Sequence, residues 1–136
     1  MNRLHRCQAA AAAAVALGLA LAGCAVQQPA PITGLSDVID RPAEKSLLAG
    51  MHAYDDAQYT DAERSLRKAL SAGLATGRDR ALAHKLLAFI YCTSDRVPAC
   101  EQSFRAAREA DPSFTLSRSE AGHPLWGPVY RKVIGN

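Results

Sequence analysis

Small and bulky residues recur in one register 38 positions apart along the middle of this chain, pairing Gly50 with Ala88, Ala62 with Cys100, Leu66 with Phe104 and Ala69 with Ala107. A spacing of that length, carried on a helical period, restricts the chain to successive helical hairpins. Leu47, Gly50, Met51 and Tyr54 stand at i, i+3, i+4 and i+7 and predict a first helix over 43–56. Thr60 and Glu63 have capping-box spacing, and Ala62, Leu66, Ala69 and Leu70 follow as an apolar stripe. A second helix is therefore expected to start near Thr60. It should stop near Gly73, which tolerates the left-handed backbone of a helix end. Leu82, Leu86, Phe89 and Ile90, flanked by Leu87, Ala88 and Tyr91, make a wide apolar arc that predicts a helix over 79–93 buried on several sides. Pro98 suits a first turn, Cys100, Phe104 and Ala107 mark the inner face of a fourth helix, and Asp111 with Pro112 closes it.

This register resembles the tetratricopeptide repeat, whose period is 34 residues, with four residues added in the 73–79 loop. In that family these positions hold small residues where two helices cross and a bulky one between them. The second copy, which adds Leu87, Tyr91 and Pro112, is the better match, while the first has Ala53 where Tyr91 stands. The expected fold is all-α: a short tetratricopeptide-like helical hairpin array over 43–112 with C-terminal capping helices in 113–136. An ordinary four-helix hairpin array produces a similar pattern.

Two hairpins leave an apolar face uncovered unless a neighbour caps it. The tail supplies Phe114 and Leu116, a second capping box from Ser117 to Glu120, and then Leu125, Trp126, Val129, Tyr130 and Val133. One or two short helices are expected over 117–134. Trp126 and Tyr130 either plug the open end of the array or, with His123, form an exposed aromatic patch that anchors a partner.

The N-terminus has a different character. Arg3, His5 and Arg6 precede 13 apolar residues from Ala9 to Leu21, the anatomy of a signal peptide. Thirteen residues cover about 20 Å of helix, against the roughly 30 Å that a membrane-spanning helix must cross. Leu21, Ala22, Gly23 and Cys24 resemble the bacterial lipoprotein lipobox at all four positions. The resemblance implies a signal peptide over 1–23, a covalent lipid (palmitate among its acyl chains) on Cys24 and a durable membrane anchor. An ordinary secretory signal with a chance cysteine is the plain alternative. Ala25 stands where an inner-membrane lipoprotein commonly carries aspartate, so the family's sorting rule points to the periplasmic face of the outer membrane. Residues 24–42, with Gln27, Gln28, Pro29, Pro31, Gly34 and Pro42, are expected to be a tether averaging about 20 to 25 Å as a coil.

Composition then excludes a good deal. The chain's 16 basic and 13 acidic side chains give +3, and loss of Arg3 and Arg6 with the leader leaves 14 against 13, or +1. Nucleic acid is not an expected partner. Cys7 leaves with the leader and Cys24 carries lipid, so Cys92 and Cys100 remain as a pair. In an oxidising compartment they are expected to form a disulfide, with two buried thiols as the alternative. His52, His84 and His123 are dispersed, with no zinc-ligand spacing and no nucleophile, base and orienting group in sight. No enzyme, no metal and no cofactor beyond the Cys24 lipid is expected. Arg64, Arg67, Lys68, Arg105 and Arg108 raise the question of an acidic partner, but Glu63 with Arg67 and Glu101 with Arg105 are i, i+4 pairs that describe a solvated face.

Together the lipobox, the short repeats, Tyr91 and Cys92 with Cys100, and the 120–130 segment resemble the small repeat-containing lipoproteins associated with type VI secretion systems. That resemblance implies an accessory envelope component contacting the membrane complex or another periplasmic part of the machine. The alternatives are a periplasmic chaperone or pilot lipoprotein for an outer-membrane client, and a cell-wall-associated structural role.

Overall fold

A computed structural model describes residues 41–134; the expected leader, Cys24 and most of the expected tether lie outside the described residues. Six helices follow one another: α1 (Pro42–Asp55), α2 (Tyr59–Ala72), α3 (Gly77–Thr93), α4 (Val97–Ala110), α5 (Arg118–Ala121) and α6 (Gly127–Ile134). No strand occurs among the described residues, and the all-α array of helical hairpins with a helical cap is the fold. α1 packs on α2 and α3 on α4 as two hairpins, α2 joins them by packing on α3, and α6 covers α4.

The 38-residue spacing recurs in the backbone. α1 ends at Asp55 and α3 at Thr93; α2 begins at Tyr59 and α4 at Val97; α2 ends at Ala72 and α4 at Ala110. The two inter-helix turns match as well, since the Gln58 amide donates to the Ala53 carbonyl and the Arg96 amide donates to the Tyr91 carbonyl. All eight paired positions are buried, and Ala62, Leu66, Ala69, Ala88, Cys100, Phe104 and Ala107 are fully enclosed. Gly50 has a steric reason to be glycine: a Cβ there would come within 2.8 Å of Leu66 Cγ and Cδ2. The first hairpin thus crosses more closely than the second, where Ala88 fills the same position.

Helix ends depart from expectation in instructive ways. Thr60 and Glu63 form no capping box; α2 starts one residue earlier, after Gln58, with no side-chain cap. The physical reason is competition for the carboxylate, because Glu63 reaches across to Arg96 instead of back to its own first turn. α3 starts two residues before the expected 79, because Thr76, read from sequence as loop, is its N-cap and accepts from the Asp79 amide at 3.0 Å. Gly73 ends α2 with φ 87°, as its position predicts. Pro98 lies in the first turn of α4, and the Ser117 capping box is complete: Ser117 Oγ accepts from the Glu120 amide and Glu120 Oε2 accepts from the Ser117 amide. Leu74, in the connection carrying the extra residues, is buried at 3% exposure, so that link contributes to the core as well as spanning a gap.

Cys92 and Cys100 are joined as a disulfide with Cα atoms 5.3 Å apart. Both are buried, and the bond ties the end of α3 to the first turn of α4. The chain-entropy account gives about 2 to 3 kcal/mol for closing so short a loop.

Candidate partner-binding surfaces

The C-terminal segment is built around two aromatic anchors. Tyr130, on α6, is 9% exposed and packs edge-on against Phe104 and Phe114, with centroids 5.3 and 6.3 Å away. Its hydroxyl accepts the Leu116 amide at 3.2 Å, which satisfies a buried donor in the strap before α5. Trp126 is half-buried, stacked between Phe89 of α3 at 4.2 Å and His123 at 3.3 Å, and its indole Nε1 donates to the Glu120 carbonyl at 2.8 Å. Lys85 bonds Glu120 at 2.7 Å and fixes α5 to α3. The cap therefore lies over α3 and α4 and covers the apolar end of the second hairpin.

Of the three residues read from sequence as a binding patch, Tyr130 is core and Trp126 shows solvent only part of its surface. His123 covers the outer face of the indole and accepts the Leu125 amide on Nδ1 at 3.2 Å. Leu125, which the sequence reading assigned to the cap, is 52% exposed and projects from the turn between Trp126 and His123. The accessible part of this surface is Leu125, Pro124 and the edges of His123 and Trp126.

A second feature was not anticipated. A cleft of about 560 Å³ opens between α2 and α4, with α3 as its floor. α2 contributes Glu63, Arg67 and Leu70, the floor contributes His84, Leu87 and Tyr91, and α4 presents the short side chains Ala99, Ser103 and Ala106. The small residues of α4 recur at i, i+4 and i+7, so one face of that helix lacks the volume to meet α2. That spacing was readable in the sequence, but small residues are equally the mark of close helix contact, and only the packing separates the two meanings.

Charge at the cleft is unevenly shared. Arg96 donates to both oxygens of Glu63, at 3.2 and 2.8 Å, and its guanidinium lies 4.4 Å from the centroid of the Tyr91 ring. The hydrogen bond from Arg96 holds the Glu63 carboxyl below its ordinary pKa, against a smaller opposing effect of burial. Arg67 is 3.8 Å from Glu63, beyond good hydrogen-bond reach, with a side chain 69% exposed. The i, i+4 pair expected from sequence is present but secondary. Glu101, the equivalent of Glu63 in the second hairpin, behaves likewise: it pairs with Arg105 at 3.0 Å and also reaches Lys132 of α6. Each of these carboxylates links its helix to a later element.

Of the other basic residues singled out, Arg64 pairs with Asp61 at 2.6 Å and Arg108 donates to the Phe114 carbonyl at 3.1 Å. His52, His84 and His123 stand on separate elements, and no group of three potential metal-ligating side chains occurs among the described residues. No described helix is long and apolar enough to cross a membrane.

Fold and site define a class, a capped array of two helical hairpins with an open cleft and an exposed apolar tip. No protein family, no curated protein and no solved structure matches the chain.

Proposed function

We propose that this chain is an assembly lipoprotein of the bacterial envelope, held by acyl chains on Cys24 at the periplasmic face of the outer membrane, and that it serves type VI secretion as an accessory, non-enzymatic component. The placement rests on the lipobox at 21–24 and the secretion assignment on the sequence resemblance. The observation that carries the binding role is the cleft between α2 and α4: its lining combines the apolar surface of Leu70, Leu87 and Tyr91 with Arg67, whose neighbouring carboxylate is held by Arg96, and aromatic residues and arginine are enriched where proteins meet. A lipid anchor confines such a surface near the membrane and raises the effective concentration of envelope partners, so a modest interface is occupied.

The test is in-cell crosslinking of the tagged protein, membrane extraction and identification of the attached proteins. Recovery of type VI membrane-complex proteins is the expected result. The open, mixed lining of the cleft also fits a chaperone or pilot lipoprotein that holds an extended client, and recovery of unfolded outer-membrane proteins, lost once they fold, selects that reading instead. Replacing Cys24 with Ser removes the lipid and releases the protein from the membrane; retained acyl anchorage in that variant contradicts the lipobox assignment.

A further inference from the structure

We propose that the cleft between α2 and α4 receives a short acidic segment of a partner protein, with one large apolar side chain seated on Leu70 and Tyr91 and a carboxylate held by Arg67. This inference names the binding face and the ligand chemistry for the assembly role above and rests on that role. Three independent features of the cleft specify the occupant.

The first is shape. Ala99, Ser103 and Ala106 leave room along α4 that a side chain from outside can fill, and the cleft's volume of about 560 Å³ is large enough for several side chains. Half-buried Leu70 and Tyr91 provide apolar surface within it.

The second is charge. Among the described residues, the carboxylate beside Arg67 is Glu63, and both oxygens of Glu63 are taken by Arg96. The Arg67 guanidinium therefore stands at the rim with donors free for a planar carboxylate, which it can bind in two parallel hydrogen bonds. A basic segment would meet the Arg67 cation with the adjacent Glu63 carboxylate already occupied by Arg96, and a further acid, Glu109, lies toward His84 on the floor.

The third is the polar lining. Ser71 of α2 and Gln102 of α4 both line the opening; Ser71 Oγ donates to the Lys68 carbonyl at 2.9 Å and keeps acceptor capacity, and Gln102 carries both a donor and an acceptor suited to a backbone amide. A peptide main chain has the groups to match. A purely apolar ligand does not.

The experiment is fluorescence anisotropy with labelled synthetic peptides of about ten residues, titrated into the full-length lipidated protein in detergent micelles. One peptide set places Asp or Glu beside Leu or Phe; two matched sets carry Lys for the acid or Ser for the apolar residue. The acidic, apolar set binds saturably, and both matched sets bind at least about tenfold more weakly. Arg67→Glu weakens the acidic set about tenfold and improves the Lys set. Ala106→Trp fills the cleft and abolishes binding, while Leu125→Ala, remote from the cleft, leaves it unchanged. Circular dichroism melts establish that each variant is folded, and Arg67→Glu, at an exposed position, keeps the test available if Ala106→Trp is not. Absence of saturable binding, equal binding of the Lys set, or indifference to Arg67→Glu overturns the inference. Sedimentation that finds a dimer broken by Ala106→Trp also overturns it, by assigning the cleft to a second copy of this chain. The two readings fail separately: crosslinks to type VI proteins from Leu125 but not Gln102 retain the assembly role and remove the cleft, whereas peptide binding without type VI partners does the reverse.

Discussion

Ala57 and Asp95 occupy the same left-handed position in the turns of two successive hairpins, at φ 59° and 58°. Neither is glycine, so both turns carry a backbone conformation that a Cβ disfavours. Each sits between a helix end and the amide that bonds back to Ala53 or Tyr91, and this geometry sets the direction in which the second helix of each hairpin leaves.

Ala57→Gly should stabilise the fold by about 0.5 to 1 kcal/mol, the relief of left-handed strain less the added entropy of an unfolded glycine. Asp95→Gly gains less, because aspartate tolerates this region better than alanine. Urea unfolding of the two variants checks the order, and a larger gain at position 95 contradicts it.

The close crossing of α1 and α2 makes the opposite prediction at Gly50. Alanine there improves helix propensity but pushes into Leu66, a fully buried side chain, and a net loss of about 1 kcal/mol is expected. A raised melting temperature in Gly50→Ala would mean that Leu66 repacks without cost.

Reduction of the disulfide, or paired replacement of Cys92 and Cys100 by Ser, should cost about 2 to 3 kcal/mol and lower the urea midpoint. Rapid maleimide labelling of both thiols in folded, unreduced protein is the result that contradicts the bond.

Trp126→Ala and Tyr130→Ala should each destabilise the cap by about 2 to 4 kcal/mol, since each removes an aromatic contact and a hydrogen bond to the chain. Leu125→Ala should change stability by less than about 0.5 kcal/mol. Thermal melts separate these, and any binding measured in the first two variants needs that comparison beside it.

His84 makes stability depend on pH. Burial holds its imidazole below the ordinary pKa, and the Glu109 carboxylate only partly opposes this. The folded state therefore favours the neutral ring. Its contribution is complete above the unfolded value of about 6.5 and declines as the pH falls from there toward the lowered folded value. His84→Gln should flatten urea midpoints measured between about pH 5 and 7, and an unchanged slope assigns the dependence to other groups.

Much of the architecture is legible in the sequence. The helical period at Leu47 to Tyr54 and at Leu82 to Tyr91, the glycine at 73, the proline at 98 and the Ser117 capping box act within a few residues of themselves, so local sequence determines them. The 38-residue register was equally visible, because two crossings of one kind both call for small residues where the helices meet and a bulky one between them.

Long-range competition was not visible. Thr60 and Glu63 read as a cap, yet Glu63 is drawn to Arg96, 33 positions on, where a bidentate guanidinium outweighs a first-turn amide. The aromatic residues of the tail read both as plug and as patch, and only packing against Phe89 and Phe104 separated buried Tyr130 from exposed Leu125. The cleft depended on tertiary structure most of all, since Ala99, Ser103 and Ala106 line an opening only because α2 stays at a distance from them. Sequence by itself determined which elements form and what repeats, through interactions spanning a turn or two of helix. Tertiary structure alone decided which side chains remain free to meet a partner, because exposure is a property of how distant segments fit together.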